Sequence, residues 1–135
     1  LRGAVPTAAF DPTDHVPAPG QGALAVTALD GSDASRAIHD AVDHPRTRVE
    51  TTVERVVLAA LGGGCIAPIG IYAVVQGGHV HTTVQVLNRA GTETIAATRD
   101  LAIEDYVDEA AAFAADLRDQ GAAELVEAAR REAME

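Results

Sequence analysis

The chain has 135 residues, 47% hydrophobic but only 3% aromatic, and a formal net charge of −10 at pH 7. That length allows one domain with a proper core and a short appended segment, not a typical multidomain enzyme; with two Phe, two Tyr and no Trp the core must be aliphatic. The charge argues against nucleic acid or an anionic membrane as a partner, and no apolar run reaches the length of a membrane span or of a secretory leader.

All ten basic residues are arginine. An acidic, lysine-free, alanine-rich surface is expected of a protein working in high salt, where carboxylates hold water and their mutual repulsion is screened. The single cysteine cannot form an internal disulfide, so a reducing cytoplasm is the expected compartment. A start at Leu1 suggests a piece of a longer chain.

In chain order, residues 1–22 read as extended linker: Pro6, Pro12, Pro17 and Pro19 precede Gly20-Gln21-Gly22. Residues 23–29 are expected to form a short strand. Asp30-Gly31-Ser32-Asp33 is a turn that caps a helix over 34–43, which His44-Pro45 ends. Pro45 suits the first turn of a second helix, whose Val49, Val53, Val56, Val57, Ala60 and Leu61 share one face, and Gly62-Gly63-Gly64 terminates it. After Pro68, runs at 69–75, 80–87 and 93–99 are separated by short glycine-containing turns, which predicts an antiparallel meander. In the middle run Val80, Thr82, Val84 and Val86 alternate with His81, Thr83, Gln85 and Leu87, so helices should cover one face only. A helix over 105–120 places Tyr106, Ala110, Phe113, Ala114 and Leu117 on a stripe, and Gly121 separates it from a last helix starting at residue 122. The fold class is α+β, a three-stranded antiparallel sheet with helices packed on one face, preceded by an extended segment and a short strand-helix unit.

Cys65 is the only thiol, and it sits between a helix end and the first strand of the meander. A lone cysteine is commonly a small buried apolar residue, but three preceding glycines leave the backbone uncovered and let something bulky approach the sulfur. A phosphate cradle needs a following helix N-terminus and commonly a lysine; here a helix precedes, a strand follows and lysine is absent. The helix C-terminus disfavours a thiolate, so the sulfur suits a bond made once better than one remade at each turnover. The expected thiol is free, reachable by solvent, with a pKa near or above the ordinary value of about 8.5.

Val53-Glu54-Arg55, then Leu61, Gly63-Gly64-Cys65 and Pro68-Ile69-Gly70-Ile71-Tyr72-Ala73, resembles the cofactor-attachment segment of the porphobilinogen deaminases, in which an E-R-x-x-L helix leads to G-G-C-x-x-P-I-G. Upstream, Pro17-Ala18-Pro19-Gly20-Gln21-Gly22-Ala23-Leu24 is similar to that family's P-A-x-G-Q-G-A hinge. The resemblance covers nearly the whole chain. It implies a thioether from Cys65 to a dipyrromethane built from two porphobilinogen units, onto which four more are condensed before release as hydroxymethylbilane. It further implies that Gly63, Gly64 and Gln21 border the cofactor, with the Gln21 amide by the active-site cleft. Residues 1–44 would then be the end of the substrate and catalytic lobes, and 45–135 the C-terminal cofactor-attachment domain.

The family's catalytic aspartate, and the arginines that pair with acetate and propionate groups, lie in its first two lobes. No catalytic residue is therefore expected in this chain. Alone it should be inactive and lack the cofactor, and its partners should be the missing N-terminal lobes together with porphobilinogen and the growing pyrrole chain. Two rival readings are a self-standing α+β interaction or regulatory domain derived from such an enzyme, and a small thiol enzyme using Cys65 directly.

His79 and His81 stand on one strand face, but with no carboxylate or further histidine nearby in sequence no metal site is expected. Glu50, Glu54, Asp105, Asp108, Glu109 and Asp116 read as solvated helix faces. Arg130 and Arg131 complement the dipole of the last helix.

Overall fold

A computed structural model describes residues 6–64 and 66–135. Its elements are α1 (Asp33–Val42), α2 (Pro45–Ala60), β1 (Ile69–Gln76), β2 (His79–Leu87), β3 (Thr94–Ala102), α3 (Tyr106–Asp119) and α4 (Ala122–Met134), with one 3₁₀ turn, Ile103–Asp105, leading into α3. The strands pair antiparallel in the order β1-β2-β3, in a register that sets Ile71 opposite Val84 and Val84 opposite Ala97. This is the α+β meander that the alternation of residues predicts.

The helix ends follow from local chemistry. The Ser32 hydroxyl accepts the Ser35 N–H and starts α1. His44 Nδ1 accepts the Thr47 N–H at 3.2 Å ahead of Pro45 at the first position of α2. Gly121, at φ 102°, joins α3 to α4, a backbone geometry costly for any residue with a Cβ.

The core lies between the sheet and the helices. α2 lies along β1, α3 against β3, and α4 reaches β2. Val80, Val84 and Val86 of β2 are buried with Ile71, Leu101, Val53, Val57, Phe113 and Leu117. On the same side Arg99 of β3 lies over the Phe113 ring at 4.7 Å and pairs with Asp116 at 2.7 Å, so its charge is used at the rim of the core.

The opposite face of the sheet is not bare. Thr13, Asp14 and Val16 share a hollow with Thr83, Gln85, Ala96 and Thr98, and a Cβ on Gly70 would stand 2.5 Å from the Val16 carbonyl oxygen. The linker segment therefore crosses that face, and only glycine at position 70 lets it come so close.

One expected element is absent. Residues 23–29 form no strand. Their apolar side chains point into solvent, Leu24 being 97% and Leu29 82% exposed, because a strand needs a neighbouring ladder and the three-stranded sheet offers them none. α1 likewise buries no residue, although Ile38 and Val42 fall on one side of it.

Candidate functional site

The triglycine turn is explained residue by residue. At the end of α2 the Gly63 N–H donates to the Leu58 carbonyl at 2.9 Å and the Gly62 N–H to the Ala59 carbonyl at 3.0 Å. This nested pair of hydrogen bonds closes a helix through a left-handed residue, which is Gly62 at φ 69°. Gly63 is required by space: a Cβ there would lie 2.5 Å from Ile69 Cδ1 and 2.6 Å from Leu58 Cδ1. Gly64 differs from both. A Cβ on it would meet nothing within 4 Å, it is exposed, and its φ is not positive.

Cys65 lies outside the described residues. Its neighbours before and after are fixed by this turn and by Ile69, the first residue of β1. Gly63 also lines an open hollow of about 510 Å³ with Thr52, Arg55, Val56, Leu58 and Ala59 of α2.

The hinge is tied to the same helix. Glu54 Oε2 accepts the Gly20 N–H at 2.6 Å, and its Oε1 accepts the Ala73 N–H at 3.0 Å. One turn earlier Glu50 Oε1 accepts the Val75 N–H at 2.9 Å and the Arg46 Nε–H at 2.9 Å, while Arg46 donates to the Val75 carbonyl. The Ile71 N–H donates to the Pro17 carbonyl. The free edge of β1 is thus closed by two carboxylates, one arginine and the hinge, so no unpaired strand edge is left there.

This corrects the expectation that Glu50 and Glu54 are solvated. Glu54 is 7% exposed, and burial pushes its carboxyl above the ordinary value, partly countered by the two N–H donors. The signal was present in the sequence: Glu54 stands between the buried Val53 and Val57, and Glu50 falls one turn before it, on the side facing β1.

The remaining predicted residues fall as follows. Gln21 is exposed, in the turn where its N–H donates to the Ala18 carbonyl. The structure brings its neighbour Gly20, not its amide, into contact with α2. His81 does have a carboxylate beside it, Asp100 across the ladder at 2.6 Å, which sequence proximity did not reveal; no cluster of three or more potential metal ligands occurs among the described residues. Arg130 does not serve only its own helix: it donates to the Gly62 carbonyl, and Arg118 of α3 donates to the Ala60 carbonyl at 3.2 Å. Both arginines converge on the end of α2.

The family described as Porphobilinogen deaminase, C-terminal domain, matches residues 49–120. Over 119 residues the chain is 58% identical to a protein of Halobacterium salinarum named a probable porphobilinogen deaminase, an alignment covering 88% of this chain and 30% of the relative. It is 40% identical over 120 residues to the porphobilinogen deaminase of Deinococcus radiodurans, covering 89% of this chain and 39% of the relative. A probable porphobilinogen deaminase of Methanosarcina mazei is 32% identical over 122 residues, 38% of its length. The chain thus spans between three tenths and about two fifths of the length of these relatives.

Proposed function

The chain belongs to the porphobilinogen deaminase family, and from that premise we propose that it is the C-terminal part of a hydroxymethylbilane synthase, with Cys65 as the covalent anchor of the dipyrromethane cofactor. The observation that carries the reading is the contact between Gly20 and Glu54. Two motifs 34 residues apart, the hinge P-A-P-G-Q-G and the E-R helix leading to the triglycine turn, are joined by a buried carboxylate. They act as one unit.

The residues fit the cofactor in one respect that the fold does not account for. Gly62 and Gly63 are explained by backbone geometry and packing, whereas Gly64 faces open space immediately before Cys65 and leaves room for a ring system against the backbone. When bound, the dipyrromethane supplies the pyrrole end to which further porphobilinogen units are joined. This chain's own part is to hold the sulfur, to keep Gly64 clear, and to place the Gln21 turn on the same body through Glu54. An amide at Gln21 can then hydrogen-bond a pyrrole chain.

In this reading residues 1–44 belong with the preceding lobes and 45–135 form the attachment domain. The exposed Leu24, Val26, Leu29 and Val42 are the surface those lobes cover. A carboxylate for the condensation and arginines for the acetate and propionate groups would come from the lobes as well, so the chain alone is inactive and carries no cofactor. No described helix is long and apolar enough to cross a membrane; a cytoplasmic, high-salt setting is part of the proposal.

The purified chain should show an unmodified intact mass and form no hydroxymethylbilane from porphobilinogen. Co-production with the N-terminal lobes of the Halobacterium relative should yield a chain heavier by one dipyrromethane, and Cys65→Ser should abolish that gain. A gain in mass that survives Cys65→Ser would overturn the assignment of the anchor.

A further inference from the structure

We infer that Arg118 and Arg130 are positioning residues for the turn that leads to Cys65: guanidinium groups from two different helices hold the carbonyls at the end of α2 and bring positive charge to the turn. This rests on the reading of Cys65 as the attachment point.

The last carbonyls of a helix have no partner within it. At the end of α2 the Val57, Leu58 and Ala59 carbonyls are taken by the N–H groups of Leu61, Gly63 and Gly62. The next demands, Ala60 and Gly62, are met by Arg118 from α3 and Arg130 from α4, 58 and 68 residues further along the chain. Neither bond is needed to start or stop α3 or α4, whose ends are set locally. Their common effect is to pin the turn to the C-terminal helix pair.

The same groups reverse the local electrostatics. A bare helix C-terminus carries partial negative charge and raises the pKa of a nearby thiol. The charged groups at the turn include Arg55 on α2, which borders the hollow with Gly63, Arg118 on α3, and Arg130 on α4 with Glu127 3.9 Å away. β1, which follows, carries no charged residue. Three residues of chain span at most about 11 Å, about one Debye length at 0.1 M salt, so the Arg130 bond at Gly62 brings its charge to the stretch of chain that carries the thiol. At that salt the thiol should therefore ionise below the value that an uncompensated helix end would impose, and the difference should shrink as salt is raised.

The test is a pH titration of the thiolate ultraviolet absorbance of Cys65, the only cysteine, combined with amide hydrogen exchange at Gly62 and Gly63, on the 135-residue chain. The Arg118→Met/Arg130→Met double variant should raise the thiol midpoint by roughly 0.3–1 pH unit, the size expected of charges at this separation. It should also speed exchange at the turn while the sheet amides stay protected. Arg130→Lys should keep most of the midpoint shift, and Arg131→Met, which removes the adjacent charge, should leave both readouts unchanged. Coincident midpoints in wild type and double variant, or a lysine variant that titrates like the double, would overturn the inference. Failure of the anchor reading would appear separately, as cofactor loading that survives Cys65→Ser, with the thiolate titration unaffected.

Discussion

Residues 6–44 carry Leu24, Val26, Leu29, Ile38 and Val42 and bury none of them, whereas the described residues of 45–135 bury eighteen apolar side chains around Phe113. The two regions do not differ in the kind of pattern they contain. Residues 23–29 have the apolar run of a strand and α1 has an apolar side, just as β2 and α3 do. They differ in partners: each element after Pro45 finds a sheet face or a helix to cover it, and the apolar stretches before it stay largely open to water, only Ile38 of the five being half-buried. Patterning states what an element could bury, and tertiary context decides whether it does.

The sharpest way to break this comparison is to truncate one large side chain in each region. Phe113→Ala should cost about 3–5 kcal/mol, because the ring fills the centre of the core and carries the Arg99 contact as well. Leu24→Ala and Leu29→Ala should each change stability by no more than about 0.5 kcal/mol. Urea unfolding of the three variants reads both numbers. A loss above about 1 kcal/mol for Leu24→Ala would mean that the first region is packed after all.

The same contrast recurs within a single turn, with a smaller effect. Gly63→Ala forces Leu58 and Ile69 apart and should cost about 1–3 kcal/mol. Gly64→Ala meets open space and should be neutral, or stabilise by up to about 1 kcal/mol through the unfolded chain. If Gly64 is kept clear for the cofactor, its alanine variant should fold normally and load dipyrromethane poorly when the lobes are supplied. Equal loading by Gly64→Ala and wild type would remove Gly64 from the site.

How much of this was legible in the sequence depended on the range of the interaction. The helices and the meander from Pro45 onward were readable because their signals are local: period, caps and turn glycines. The strand expected at 23–29 failed because pairing is non-local, and nothing in the run itself reports whether a ladder partner exists. Charge on a helix usually means solvent, and that rule outweighed the place of Glu54 between Val53 and Val57; its partners, the N–H groups of Ala73 and Gly20, are displayed only by the folded arrangement. Arg118 and Arg130 were unreadable for the same reason, since their acceptors lie 58 and 68 residues away. The hinge and attachment motifs were visible as strings, but that one carboxylate joins them was not.

Glu54 stands on the boundary between the two regions, and its titration sharpens the comparison further, with the smallest expected effect. Burial raises its carboxyl above the ordinary 4.5, the N–H groups of Gly20 and Ala73 pull it back part of the way, and Glu50 adds to the rise. The folded chain therefore holds this proton more tightly than the unfolded chain does. Glu54's stabilising contribution is complete below pH 4.5 and is lost as pH rises through the raised folded value. The difference in unfolding free energy between wild type and Glu54→Gln, followed against pH, should decline across that window and level off above it. Deleting residues 1–22 removes Gly20 and lets water reach Oε2. Because burial is the larger influence, the loss of a single N–H donor should not compensate, and the window should contract toward 4.5 while the core after Pro45 remains folded. A window unchanged by the deletion would mean that the hinge does not bury this carboxylate, and that the two regions are joined by less than the Gly20 bond implies.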